Sequence, residues 1–223
     1  RMVFGDCGTA SLVTVGNTSM GFHIQSDGSG ADRLIVPAGG FRLPVSEETS
    51  VLKWDEDKNG RTMNDLFMDG MAIFNFAITE VHKNVNSLIE YMDWVKEDVG
   101  FYALHQANEF MVNYVRKKLK VAAEVAPANC KDYGNTGPAT IPFLLSDVCS
   151  QKQYDLKKTI MCGFGVGLSC SIDYMELPTN AILPVIESDD HYDDDKERCE
   201  FLWQSKVLVM NADTPLIEYV TDI

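Results

Sequence analysis

The chain has 223 residues, 45% of them hydrophobic, which is enough to bury a sizeable core in one or two domains. Its formal net charge of −14 favours solubility and argues against binding to nucleic acid or to an anionic membrane. No apolar stretch approaches the roughly 20 residues of a membrane span.

No signal-peptide pattern opens the sequence, and "RMVFGD" reads as the start of a strand rather than as a mature terminus, so a cytoplasmic protein is expected. The 6 cysteines have neither CxxC pairing nor metal-ligand spacing and read as reduced thiols. No metal and no cofactor is expected.

In chain order, "MVFGDCGTASLVTV" (2–15) predicts two short strands punctuated by Gly5-Asp6 and Gly8. "GFHIQSDGSGADRLIVPAGG" (21–40) predicts a strand followed by a Gly/Ser/Asp loop. From Met63 to Tyr91 apolar residues recur at helical spacing (Leu66, Ile73, Phe74, Ala77, Val81, Val85, Leu88), giving one long helix or two in series. A strand "GFYAL" (100–104), a helix over 108–120, a strand near 127–131 and a helix over 138–149 with Pro138 in its first turn follow. "TIMCGFGVGLSCSIDYMEL" (159–177) predicts a strand pair joined at a glycine-rich corner. Strands alternating with helices give an α/β layered architecture. Beyond Pro178, "ESDDHYDDDKE" reads as a solvated acidic linker, and the apolar segment 201–223 reads as a strand and a further helix that must pack on something.

Three motif-like stretches fail on their chemistry. "DEDKNG" (55–60) imitates the start of a calcium loop, but the twelfth position, where a bidentate Glu is needed, is Leu66. "GFGVG" (163–167) is not GxGxxG and precedes a strand, so it does not make a dinucleotide site. The acidic run 187–197 is a flexible carboxylate cluster that would hold a metal only weakly.

His105 follows "GFYAL", at the carboxyl end of a buried strand, which is where ligands bind in open α/β sheets. Asn135 lies in a Gly-Asn-Thr turn at a helix start, where Thr136 can cap and the amide can point outward. On spacing alone, a satisfied core histidine and a turn-forming asparagine are the readings to prefer.

"HQAN" (105–108), "YGNTGPATIP" (133–142) and "GFGVGLS" (163–169) together resemble the ketoacyl-acyl carrier protein synthase III family of the thiolase superfamily. "FGDCGTASLV" (4–13) is similar to that family's FGDGAGAAVL-type strand pair, and "MDGMAIFNFA" (68–77) to its MxGxxxFxxA helix. The blocks stand in family order across residues 2–177, and nothing from Pro178 onward matches. The resemblance implies a thiolase-like layered α/β fold, of which this chain holds the C-terminal half plus the last strands of the N-terminal half. The expected division is 1–62 for those last strands and connecting loops, 63–177 for the C-terminal half, and 178–223 for linker and tail.

The resemblance also implies a chemistry. A cysteine thiolate takes an acyl group from acyl-CoA, a malonyl thioester carried on acyl carrier protein loses CO2, and its enolate attacks the acyl-enzyme. His105 and Asn135 match the pair of neutral donors that hold the enolate oxygen, and the backbone N–H of Val166 matches the oxyanion donor of acyl transfer. Asn108 matches a contact to the pantetheine arm, and Gly70 and Phe74 match positions lining the same tunnel, with helix packing as their plainer explanation. Arg116, Lys117 and Lys118 match a basic surface that docks the acidic carrier protein. Phe110 and Asn75 stand where family basic residues are frequent, and the acidity of the whole chain opposes an acidic partner. A homo-oligomer, a dimer, is expected.

The family's nucleophile sits in a Cys-x-Gly context at a helix start, upstream of every block seen here, and none of the cysteines of this chain has that setting. The chain therefore reads as the decarboxylating half of a condensing site without its nucleophile. Two other classes stand beside this reading. One is a non-catalytic partner subunit of a condensing enzyme, which would need neither His105 nor Asn135. The other is a cysteine hydrolase built from Cys7, His105 and Asn135, although Cys7 lies on a strand turn.

Overall fold

The computed structural model describes residues 3–56 and 58–187, together with 207–209 and 218–220. Arg1–Thr9 and Gly16–Pro184 form one unit, and Ala10–Val15 and Val185–Ile223 form another.

The first unit begins its regular structure with β1 (Gly21–Ser26) and continues through the short strands β2 (Leu34–Ile35), β3 (Lys53–Trp54), β4 (Gly60–Arg61) and β5 (Phe67–Met68). Helix α1 (Gly70–Phe76) runs through a π-helical turn, Ala77–Val81, into α2 (His82–Tyr91). Strand β6 (Phe101–Leu104) leads to α3 (Glu109–Leu119), the short helix α4 (Cys130–Tyr133) and α5 (Thr140–Gln151). The hairpin of β7 (Thr159–Gly165) and β8 (Ser169–Met175) closes the unit. The second unit contains β9 (Val207–Val209) and β10 (Glu218–Val220), paired antiparallel. The acidic run from residue 188 onward and most of the segment 201–223, including the helix expected there, lie outside the described residues.

The main sheet has the order β1-β8-β7-β6. β6 and β7 are parallel, with Phe101 opposite Thr159, whereas β7–β8 and β8–β1 are antiparallel. All 4 residues of β6 are buried because apolar layers cover both of its faces. Alternation along the strand sends Tyr102 and Leu104 to one layer, with Val85, Leu88, Val112 and Val115 from α2 and α3. It sends Phe101 and Ala103 to the other, with Leu144 and Leu145 from α5 and with Leu156. The "FYAL" run is hydrophobic at every position for this reason.

Helix starts follow their caps. Asp69 accepts from the Ala72 N–H at 3.0 Å and so starts α1 at Gly70. The helical spacing read from Met63 thus takes effect only seven positions on, because Phe67–Met68 pair with Leu34–Ile35 first. Asn108 caps α3 in the same way, accepting from the Met111 N–H at 2.8 Å.

Three expected strands are absent among the described residues. Residues 2–15 do not form a strand pair: among the described residues Phe4 makes one isolated parallel bridge to Asn135, and 5–16 find no ladder partner. A strand exists only by its ladder, and without one this apolar stretch leaves Val13 and Val15 exposed. The strand expected near 127–131 is instead a turn running into α4. There Asn129 spends its N–H on Gln106 Oε1 (3.0 Å) and its side-chain amide on Asp147 Oδ2 (3.0 Å), which turns the chain inward. Asp55 and Asn59 of the polar stretch lie between β3 and β4, which pair antiparallel, and Asp55 accepts from Asn59 and Arg61.

Candidate active site

His105 is the first residue beyond β6. Its N–H donates to the Cys162 carbonyl at 2.8 Å, which extends the β6–β7 ladder by one residue and fixes the backbone beneath the ring. Nδ1 lies 2.6 Å from the Thr140 hydroxyl, and the ring meets Phe164 edge-on with centroids 5.2 Å apart. Burial pushes the His105 pKa down to about 4, so the imidazole is neutral at pH 7.

Asn135 is held by its backbone. Its N–H donates to the Val3 carbonyl at 2.8 Å, and its carbonyl accepts from the Gly5 N–H at 3.0 Å. Its side-chain Oδ1 accepts from the Gly137 N–H at 2.9 Å. An oxygen that accepts there fixes the amide orientation, so Nδ2 is the free donor. The turn needs glycine at 134, where φ is +71° and an added Cβ would stand 3.1 Å from the Val3 carbonyl oxygen.

Both side chains line one cavity of about 730 Å3. Its wall is largely apolar, including Ile73, Met111 and Phe164. Asn108, Gly70, Phe74 and Val166 line it as well, so six of the residues singled out in the sequence share one space. Val166 sits in the turn between β7 and β8, and Phe74 stacks on Phe110 with centroids 5.5 Å apart. A methyl added at Gly70 would meet nothing within 4 Å, so close packing does not explain that glycine.

The basic trio does not line the cavity. Arg116 is committed to the protein itself, donating to the Ala126 carbonyl at 3.1 Å and to Asn113 Oδ1. Lys118 lies 5.6 Å above the Tyr114 ring, and Lys117 is exposed.

Among the described cysteines, Cys170 alone lines the cavity, and it is 1% exposed. The Cys162 thiol donates to it, which lowers the Cys170 pKa and raises that of Cys162. Burial raises Cys130 and pushes Cys149 up to about 11. Cys7 is half-buried and does not line the cavity, so it does not join His105 and Asn135 in a hydrolase triad.

Sequence reasoning missed the groups that hold the site together. Gln106, 1% exposed, donates to the Leu104 carbonyl and accepts from Asn129, whose amide donates to the buried Asp147. This chain ties the end of β6 to α4 and α5. The available signal was a glutamine placed two residues beyond a fully apolar strand. Thr140 carried no signal of its own, because a threonine in the first turn of a helix is ordinary.

Comparison with known proteins bears on the fold. Residues 89–176 match the family model described as 3-oxoacyl-[acyl-carrier-protein (ACP)] synthase III C terminal. The chain is 37% identical over 174 residues to the beta-ketoacyl-[acyl-carrier-protein] synthase III of Streptococcus sanguinis, covering 75% of this chain and 50% of that protein. It is 29% identical over 189 residues to a putative 3-oxoacyl-[acyl-carrier-protein] synthase 3 of Campylobacter jejuni, covering 81% of this chain and 52% of that one. Among solved structures, a 3-oxoacyl-(acyl-carrier protein) synthase from Burkholderia xenovorans matches with a TM-score of 0.64 at 35% identity, covering 78% of this chain and 49% of that one. A further 3-oxoacyl-(acyl-carrier-protein) synthase III structure matches with a TM-score of 0.66 at 30% identity, covering 75% and 50%. The layered α/β fold is thus thiolase-like, and the chain spans about half the length of the relatives it matches. Residues 89–176 thus carry the C-terminal domain described for 3-oxoacyl-[acyl-carrier-protein (ACP)] synthase III, and the similarity to synthases of that name extends over about three quarters of the chain.

Proposed function

We propose that this chain supplies the decarboxylating part of a condensing site that joins an acyl thioester to a malonyl thioester, in fatty-acid or related lipid or polyketide synthesis. One observation carries the proposal: a neutral histidine and an asparagine whose amide is oriented by its own turn line the same apolar cavity. The malonyl carbon–carbon bond breaks, CO2 leaves, and the electron pair becomes a thioester enolate. His105 and Asn135 Nδ2 donate to the enolate oxygen as its charge grows. The apolar wall favours loss of the charged carboxylate as neutral CO2. The enolate carbon then attacks the acyl thioester of a cysteine, the new carbon–carbon bond forms, and the cysteine leaves as thiolate.

That cysteine is not Cys170. Its thiol is buried near the start of β8 against Cys162, whereas acyl-accepting thiolates sit in partly exposed electropositive settings such as helix N-termini. Malonyl on acyl carrier protein and acyl-CoA are the proposed substrates, with Asn108, Gly70 and Phe74 along the pantetheine path, the Val166 N–H as oxyanion donor of acyl transfer, and a dimer as the assembly. Lys117 and Lys118 are the members of the basic trio still free to meet an acidic carrier, since Arg116 is engaged with Ala126.

Incubating the purified chain with labelled acyl-CoA and malonyl thioester tests this. Slow CO2 release is expected, with no condensation product and no label on its cysteines. Labelled acyl group on a cysteine together with product formation would refute the missing nucleophile. Absence of both malonyl thioester binding and CO2 release would refute the decarboxylating role.

A further inference from the structure

We propose that Thr140 is a positioning residue that fixes which nitrogen of His105 carries the proton; this rests on the condensing-site reading above. The Thr140 hydroxyl lies 2.6 Å from Nδ1, Thr140 is 2% exposed, and its hydroxyl has no other hydrogen-bond partner among the described residues. A hydroxyl has one hydrogen to place. If it donates to Nδ1, both groups are satisfied, and the imidazole proton must sit on Nε2. If Nδ1 carries the proton and donates to the threonine oxygen, the hydroxyl hydrogen is stranded in the interior with no acceptor. A buried unpaired donor disfavours the second arrangement by roughly tenfold or more.

The consequence is directional. The imidazole is neutral, so it owns one N–H. With that proton on Nε2, His105 is a donor towards the cavity. With the proton on Nδ1, it would present a lone pair to an enolate oxygen and repel it. Thr140 enters from the first turn of α5, while His105 enters from the end of β6, so the donor state depends on the docking of the helix against the sheet. The Gln106–Asn129–Asp147 chain braces the same junction, with Asp147 also on α5.

The test is the imidazole nitrogen spectrum of the 15N-histidine-labelled chain at pH 7, for the native protein, T140V and T140S. The His105 resonances, assigned by their loss in His105→Gln, are expected to show the Nε2–H form alone, with Nδ1 at the frequency of a hydrogen-bonded acceptor. In T140V, Nδ1 should move to the frequency of a free acceptor, and the Nε2–H form should cease to be exclusive. T140S should restore the native spectrum. Malonyl decarboxylation should fall roughly tenfold in T140V and stay near native in T140S. An Nδ1–H form of His105 in the native chain overturns the proposal, and so does a T140V spectrum identical to the native one. Should T140V not fold, the native spectrum decides alone. Spectra as expected, without malonyl decarboxylation by any form, would sink the condensing-site reading and leave the role of Thr140 standing.

Discussion

The end of β6 and the 133–137 turn deliver their side chains to one cavity by opposite means. His105 rides on a strand buried on both faces, and its ring is oriented by another side chain, Thr140. Asn135 rides on an irregular turn stitched to residues 3–5, and its amide is oriented by a backbone N–H two residues on. The first arrangement is rigid because the core is rigid, and it is sensitive to the chemistry of one hydroxyl. The second is nearly indifferent to side chains but depends on a close backbone approach, which glycine permits at 134 and at 5. If the two side chains donate to one oxygen as proposed, the site tolerates different failures on its two sides.

The largest expected effects come from removing the donors. His105→Ala and Asn135→Ala should each lower malonyl decarboxylation by about 10²-fold, the usual cost of one oxyanion donor, while acylation of a nucleophile supplied by the complete enzyme suffers less. The double variant should lose less than the product of the two, because both donors serve one atom. Full multiplicativity would mean that the residues act in separate steps, and equal losses in both half-reactions would point to a structural role.

A second variant separates the two supports. A Cβ at Gly5 would collide with the Tyr133 carbonyl oxygen, so Gly5→Ala must push residues 3–5 away from the turn. Decarboxylation should fall roughly tenfold as Asn135 loses its aim, about the worth of one to two weakened hydrogen bonds. Amide exchange at Asn135, now bonded to Val3, should accelerate. His105 should keep its partner. Native exchange at Asn135 in this variant would break the contrast between the two regions.

The contrast also explains what the sequence disclosed. β6, α3 and the β7–β8 hairpin were legible because burial on both faces writes "FYAL" as an unbroken apolar run and because caps mark helix starts. His105 and Asn135 were legible from the blocks that surround them. The failure of the two strands expected over 2–15 was not to be had from pattern alone, since Val13 and Val15 look like core residues until a ladder is sought for them. Nor was the role of Thr140 or of Asn129 visible. Each acts through a residue far along the chain, 35 positions away for Thr140 and 23 for Asn129, and no local periodicity encodes such a pairing.

The buried setting of His105 predicts a pH response that Asn135 cannot have. Its pKa near 4 in the folded chain lies below the ordinary 6.5. Between those values the unfolded chain binds a proton that the folded chain refuses, so stability falls as pH drops from 6.5 towards 4 and is fully present above 6.5. The size is on the order of 3 kcal/mol. Burial depresses His82 in the same direction, so urea midpoints of native protein and His105→Gln must be compared across that window. The native chain should lose more. Decarboxylation should hold level down to about pH 5, with its acid limb near 4 and not near 6.5. Parallel loss of stability in both proteins would remove His105 from the buried, neutral state on which its role depends.

The smallest effect expected belongs to the wall of the cavity, where neither kind of support operates. Gly70 opens α1, lines the cavity, and has open space where a Cβ would project. Gly70→Ala should therefore fold normally, and it should gain up to about 0.5 kcal/mol because alanine loses less backbone freedom than glycine in a helix. The added methyl occupies space that a pantetheine arm would use in both ground and transition states. Loss of such uniform binding raises KM and leaves kcat alone, so a few-fold rise in KM for malonyl thioester is expected at constant kcat. Removing His105 or Asn135 has the opposite signature, a fall in kcat, because their hydrogen bonds strengthen only as the enolate forms. A fall in kcat for Gly70→Ala without a change in KM would place α1 among the groups that shape the transition state, and the division between wall and donors would have to be redrawn.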